Sequence, residues 1–148
     1  MTRGRKKKPT YVKQAQGTLQ KCRTLANEMV PDVVGELPDV PDVLKGNAVA
    51  LKHWKVYTQT LYNAGVLFEC DLSGIVTLCK LWADYFEFIK ILDKEGYVDA
   101  DGKRRAEDII ARDKLNQAMK LCVEFGFTPS ARTKIPMQKK KEKDDIFD

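Results

Sequence analysis

Apolar residues recur every three or four positions through most of residues 42–125, with polar side chains between them, which is the pattern of amphipathic helices. Three long runs of this kind cover residues 42–65, 71–96 and 107–125. A fourth, short helix is predicted around residues 128–132. The pattern therefore predicts an all-α fold, in which an antiparallel helical hairpin is joined by a third helix and a short C-terminal helix.

Residues that favour helix ends mark the limits of each run. Asp42 and Asp71 are candidate N-caps for the first two helices, and Thr128 followed by proline is a typical start for the short last helix. Between the second and third helices, an Asp-Gly turn in residues 97–103 predicts a small hairpin. Each long run stops at a glycine, the residue that often follows a helix C-terminus; these are Gly65, Gly96 and Gly126.

Three segments lie outside this helical core of residues 42–135. Residues 1–27, the basic arm, are polar with sparse apolar residues, so we expect a disordered arm that orders when a partner binds, with a short helix near residues 11–16. Prolines in residues 28–41 block helix formation and predict an extended linker. Residues 136–148 are predicted to form a charged, flexible tail.

The charge of the chain is unevenly placed. The 148 residues carry 26 Lys and Arg against 21 Asp and Glu, a formal net charge of +5. The basic arm holds eight basic residues and no acid, whereas residues 28–131 hold twelve basic and seventeen acidic residues. An acidic helical core therefore carries a basic arm, and the excess of positive charge lies at the ends of the chain.

The basic arm is the main candidate for binding nucleic acid. Mobile cations neutralise phosphates and release condensed counterions, which gives affinity that is independent of base sequence. Charge alone does not separate DNA from RNA, and it leaves open a solubilising segment, a nuclear-localisation-like run or a contact with an acidic membrane surface. Together with two cations near the end of the helical core, the predicted DNA-binding residues are Arg3, Arg5, Lys6, Lys7, Lys8, Lys13, Lys21, Arg23, Arg132 and Lys134.

Residue types that carry catalysis or hold metals and cofactors are sparse. The four cysteines include no C-x-x-C pair, His53 is the single histidine, and no Gly-rich phosphate-binding loop occurs. The carboxylate pairs Asp84 with Glu87 and Asp99 with Asp101 lack a further ligand at suitable spacing. No apolar run is long enough to cross a bilayer, and no secretory signal follows the charged opening. We therefore predict no enzymatic activity, no metal, no cofactor and no membrane partner.

The second predicted helix carries more aromatic residues than a small helical monomer readily covers. Trp82, Tyr85, Phe86 and Phe88 are distributed around nearly its whole circumference. A helix that is apolar nearly all round needs partners on more than one side, which favours self-association. The alternative is that the small hairpin and the last helix cover the remaining face.

The order of motifs along the chain carries a family resemblance. An Arg-Gly-Arg-Lys opening at residues 3–6 is followed by a Pro-x-x-Pro linker, by a helix with Trp54, and by a Phe-Gly-Phe-Thr-Pro-Ser-x-Arg ending at residues 125–132. In this order the motifs resemble the small terminase subunit family of tailed bacteriophages and prophages. The resemblance extends over nearly the whole chain up to Ile135.

The resemblance implies a non-catalytic, all-helical protein that assembles into a homo-oligomeric ring in the cytoplasm of the bacterial host. Members of the family bind double-stranded viral DNA at the packaging start site and recruit the large terminase subunit, which supplies the ATPase and nuclease activity. We expect the first two helices to form the contacts between subunits. The charged tail of residues 136–148 is the candidate contact with the large subunit because it is accessible.

Two other functions remain open at this stage. A helical transcription regulator could read DNA through a helix-turn-helix whose reading element is the third helix. An enzyme with an unrecognised carboxylate site is the other alternative. The basic residues that would serve the reading helix are Arg104, Arg105, Arg112 and Lys114.

Overall fold

A computed structural model describes residues 10–15, 17–20 and 32–132 of the chain. Single 3-10 turns at Asp42–Leu44 and Glu69–Asp71 flank the second helix, and β-structure in these ranges is limited to two isolated bridges. The predicted all-α fold is confirmed. The α-helices are α1 (Thr10–Ala15), α2 (Ala48–Asn63), α3 (Leu72–Glu95), α4 (Ala106–Glu124) and α5 (Pro129–Arg132).

Helix α3 lies at the centre of the fold and packs antiparallel to α2. The residue before α2, Asn47, lines the same groove as Lys90 in the last third of α3. Further along α2, the ring of His53 lies 5.8 Å from that of Trp82 near the middle of α3. The two helices therefore run in opposite directions, as the sequence pattern predicts.

Helix α4 packs antiparallel to α3 as well. Lys114 Nζ lies 2.7 Å from Asp84 Oδ2, which joins the middle of α4 to the middle of α3. At the end of α4, Phe125 contacts Gly74 in the first turn of α3. Because α2 and α4 both pack on α3, the long middle helix supplies the largest share of the hydrophobic core.

The core consists of two neighbouring clusters of buried side chains. The first joins α2 to α3, with Trp54 as its largest fully buried member. The second joins α3 to α4 through Leu78, Leu81, Ala118 and Cys122. The buried side chains of α2 are Ala50, Trp54, Thr58 and Leu61, whereas its first residue, Ala48, is exposed.

The predicted glycine stops are confirmed, and the predicted start of α2 is wrong. Gly65, Gly96 and Gly126 follow the three long helices with φ of 69°, 83° and 75°, a backbone conformation that favours glycine. Asp42 was expected to cap α2, yet it begins a 3-10 turn and pairs with Lys45. The helix starts at Ala48 for two reasons. The backbone of Gly46, at φ 90°, is not helical, and the Asn47 side chain caps the helix by accepting a hydrogen bond from Ala50 N.

Of the two caps predicted for α3 and α5, only the second forms the expected hydrogen bond. Asp71 occupies the N-cap position of α3, but its carboxylate accepts a hydrogen bond from the Cys70 thiol instead of capping the backbone. Thr128 Oγ1 accepts a hydrogen bond from Ala131 N, at 3.3 Å, so the predicted start of α5 is confirmed. The short N-terminal helix expected at residues 11–16 is present as α1, while the other residues of the basic arm, apart from 17–20, lie outside the described ranges.

Residues 32–44 pack along the helical core. Val34 N donates a hydrogen bond to Leu67 O at 2.9 Å, and the Tyr62 hydroxyl donates to Gly35 O at 3.1 Å. Farther along, Val40 packs on the core and Leu44 is only 1% exposed within it. The described part of the linker, residues 32–41, contains no helix and is attached to α2 and to the turn before α3.

The connection between α3 and α4 contains the predicted Asp-Gly turn. Val98 and Arg104 form an isolated antiparallel bridge, and Asp99 N donates to Lys103 O at 2.8 Å. The Asp99 carboxylate also accepts hydrogen bonds from the backbone of Asp101 and Lys103. The Asp99 carboxylate therefore stabilises the turn, which is a structural role typical of Asp in such positions.

Candidate nucleic-acid interface

The structure describes two of the ten predicted DNA-binding residues. Lys13 is half-buried in α1, and Arg132 is exposed as the last residue of α5. Among the described residues, no hydrogen bond or ion pair joins these two side chains. The predicted residues that lie outside the described ranges are Arg3, Arg5, Lys6, Lys7, Lys8, Lys21, Arg23 and Lys134.

The linker that follows the basic arm and the segment that leads to Arg132 are both anchored at the start of α3. Glu69 N donates a hydrogen bond to Asp32 O, which anchors the linker just before α3. On the C-terminal side, Phe125 contacts Gly74 in the first turn of α3 before the chain continues into α5 and Arg132. Both connections are thus fixed to one end of the bundle.

Four basic residues in the first half of α4 and the turn before it are engaged in ion pairs. Arg104 and Arg112 both pair with Asp108, four residues away on either side. Asp108 is buried, and the hydrogen bonds from Arg104 and Arg112 hold the pKa of its carboxyl below the usual range, against the opposing effect of burial. Sequence reasoning missed this buried acid, although the i, i+4 spacing to two arginines was the available signal.

Two further cations tie α4 and the turn before it to α3. Arg105 Nη1 lies 2.9 Å from Glu95 Oε2, and its other terminal nitrogen donates to the Glu95 carbonyl. Lys114 Nζ pairs with Asp84 at 2.7 Å. The four cations that a reading helix would need therefore have carboxylate partners within the subunit, which weakens the helix-turn-helix alternative.

Helix α2 carries basic residues that the sequence prediction did not include. Lys52 and Lys55 are exposed on its outer face, and neither forms an ion pair with a described carboxylate. The signal that could have found them is the absence of any acid in residues 43–68. These lysines can contact phosphates without competition from acids on the same helix.

The comparison with known protein families decides the family of the chain. The family model of the phage terminase small subunit matches residues 50–142. The chain belongs to this family. No curated protein and no solved structure matches the chain. The match confirms the resemblance inferred from the motif order, and it spans α2 to α5, whereas the basic opening of the chain lies before it.

The aromatic residues of this terminase small subunit form a half-buried cluster. The Tyr57 ring lies 4.3 Å from that of Phe127, and His53 lies between Tyr57 and the rings of Trp82 and Phe86. Of these, Phe86 is the exposed member. Helix α2 and the segment after α4 therefore cover most of the aromatic face of α3, which leaves less of it for subunit contacts than the sequence pattern indicated.

Two described cysteines and the single histidine are buried or half-buried. Burial raises the pKa of the Cys79 thiol to about 12 and also raises that of Cys122, so both are protonated at neutral pH and behave as small apolar side chains. Burial, with a smaller effect of Lys52, lowers the pKa of His53, which therefore adds no charge to α2 at neutral pH. Within the described ranges, no three His, Cys, Asp or Glu residues lie together as metal ligands, and no helix is long and apolar enough to span a membrane.

Proposed function

We propose that this chain is the DNA-recognition subunit of a viral genome-packaging terminase. It binds double-stranded viral DNA at the packaging start site and delivers it to the large terminase subunit, which supplies the ATPase and nuclease chemistry. Family membership supports this role. The subunit itself is non-catalytic, and the charged tail of residues 136–148 is the proposed contact with the large subunit.

DNA contact is assigned to the basic arm, assisted by Arg132 and Lys134. The observation that carries this assignment is the division of charge: the arm has eight cations and no acid, while the arginines around the start of α4 are paired with carboxylates. Cations without acidic neighbours are the ones able to release counterions from DNA phosphates. The exposed lysines of α2, Lys52 and Lys55, are further proposed phosphate contacts.

A homo-oligomeric ring strengthens the contact. Each arm contributes a modest, sequence-independent affinity, and several arms on one assembly act on the same DNA at high effective concentration. Head-to-tail contacts between two different patches of each subunit close such a ring. The assembly therefore binds DNA firmly without base-specific side chains in each copy.

The salt dependence of DNA binding tests this proposal. Replacing Lys6, Lys7 and Lys8 by glutamine removes three cations from the basic arm without touching the helical core. We expect the slope of log K against log salt to fall by about 0.9 for each lost phosphate contact, and by up to about 2.7 in total. Fluorescence anisotropy with a labelled duplex at four or more salt concentrations measures this slope.

The matched control removes the same charge from the other end of the chain. Replacing Lys139, Lys140 and Lys141 by glutamine should leave the slope nearly unchanged, because the charged tail is assigned to the large subunit. Equal slopes for both triple variants, or an unaltered slope for the arm variant, would contradict the proposal. Protection of one short palindromic site would instead indicate a transcription regulator.

A further inference from the structure

The outward face of α4 carries large apolar side chains that the described residues leave uncovered. Ile109, Met119 and Val123 are 49%, 43% and 47% exposed, and Asn116 between them is exposed as well. Residues seven apart lie almost above one another on a helix, so positions 109, 116 and 123 form one stripe. On the helix, the stripe is rotated by roughly 120° from the centre of the buried face, which consists of Asp108, Ala111, Ala118 and Cys122.

Charged residues of opposite sign lie along one edge of this stripe. Asp113 and Lys120 are both exposed, and neither forms an ion pair with a described side chain. They too are seven residues apart, so they follow the same edge of the helix. Their positions are nearly symmetric about Asn116, as are those of Ile109 and Val123.

This arrangement is complementary to itself when two copies of the helix run antiparallel. With a two-fold axis near Asn116, Ile109 of one copy lies level with Val123 of the second copy. On the edge of the stripe, Asp113 of one copy then lies close to Lys120 of the second copy, and the pair occurs twice. Apolar contacts on either side of a central polar residue, with oppositely charged pairs along the edge, are the pattern of specific helix pairing.

We propose that α4 is a self-association surface that binds α4 of a second copy of this chain, antiparallel, about a two-fold axis near Asn116. Such an isologous contact differs from the head-to-tail contacts of a ring, since the same patch is used on both sides. This contact pairs two free subunits. Where the subunits belong to rings, it joins two rings face to face. The inference needs no DNA contact and does not rest on the proposed function.

Cysteine crosslinking locates the two-fold axis. In a chain with Cys22 and Cys70 replaced by serine, Asn116→Cys brings two thiols together at the axis, and mild oxidation should give a covalent dimer. Gln117→Cys is the matched control, because it is rotated by about 100° from the stripe and should crosslink far less. Equal crosslinking of both variants, or none, would overturn the proposed pairing.

Charge reversal provides the second test, with sedimentation equilibrium as the readout. Asp113→Lys and Lys120→Asp each place like charges together, and each should weaken dimerisation by at least about fivefold. The double variant restores opposite charges and should recover the wild-type dimer Kd. A double variant as weak as the singles would contradict the antiparallel arrangement, because in that arrangement positions 113 and 120 face each other and the exchanged charges form the same pair again.

The two tests separate this inference from the proposed function. Rings seen by native mass spectrometry together with unchanged DNA binding, but without crosslinking at position 116, would overturn the α4 pairing and leave the packaging role standing. Crosslinking at position 116 in a chain whose DNA affinity does not depend on the basic arm would support the pairing and contradict the DNA assignment.

Discussion

Gly74 allows the end of α4 to approach the start of α3 closely. A Cβ atom at this position would lie 2.8 Å from Cζ of Phe125, which is closer than real Cβ contacts. The absence of a side chain thus gives room to the aromatic ring that follows α4. The contact matters because it fixes the point from which the chain continues towards α5.

A double-mutant cycle measures this contact. Gly74→Ala improves helix propensity by up to about 1 kcal/mol, and this gain should appear as higher stability in a Phe125→Ala background. With Phe125 present, the added methyl group meets the ring, so the same substitution should be neutral or destabilising. Chemical denaturation of the four proteins should give a coupling free energy of about 0.5–3 kcal/mol. Additive effects would contradict the close approach.

His53 makes the stability of the fold sensitive to mild acid. It lies among Tyr57, Trp82 and Phe86, and burial lowers its pKa below the usual 6.5, with Lys52 adding a smaller repulsion. The unfolded chain therefore binds a proton more readily than the native protein just below pH 6.5. Stability associated with the neutral imidazole is present above pH 6.5 and is lost as the pH falls towards the lower native pKa.

Thermal unfolding at pH 7.5 and pH 5.5 tests the effect of His53. We expect the Tm of the wild-type chain to fall more on acidification than that of His53→Gln, which keeps a polar side chain of similar size but does not titrate. The difference between the two Tm shifts isolates the histidine from the other titrating groups. Identical shifts for both proteins would show that His53 is not the group responsible.

At the scale of elements, the segment before α2 belongs energetically to the core. Leu44 is 1% exposed among core residues, whereas Leu37 in the same segment is 45% exposed. Leu44→Ala should therefore lower the free energy of unfolding by about 2–5 kcal/mol, the usual cost of a buried cavity. Leu37→Ala, the matched control, should cost less than about 0.5 kcal/mol. Similar losses for both variants, measured by urea denaturation, would contradict the packing of this segment.

Helices and their C-terminal stops were predictable because their signals are local. Spacing of three and four and a following glycine are read within one segment, and α3 and α4 accordingly lie within a residue or two of their predicted limits. The start of α2 was not predicted, because Asp42, Gly46 and Asn47 are all signals for a helix start or break and lie within a few residues of one another. The attachment of residues 32–35 to residues 67–69 depends on contacts distant in sequence, which no periodicity reveals.

At the scale of the whole molecule, the cations divide into two kinds. Four cations in the first half of α4 and the turn before it pair with carboxylates, and two of these pairs tie α4 to α3, which the net charge could not show. The cations of the basic arm were identified from an acid-free stretch of sequence, and their role in DNA binding stays a prediction. Lys52 and Lys55 were overlooked because their helix was interpreted only through its apolar face.

Because the linker is anchored at Asp32, the number of residues between an arm cation and Asp32 sets the greatest distance at which that cation can lie from the anchor. Arg23 precedes Asp32 by nine residues, so it can move no farther than about 30 Å from that anchor even on a fully extended chain. Arg3 precedes it by 29 residues, of which six form α1, so its limit is about 90 Å, which corresponds to between two and three turns of duplex. The length of chain alone therefore limits the cations nearest the linker to a short range around Asp32 and allows those at the start of the arm a range about three times as large.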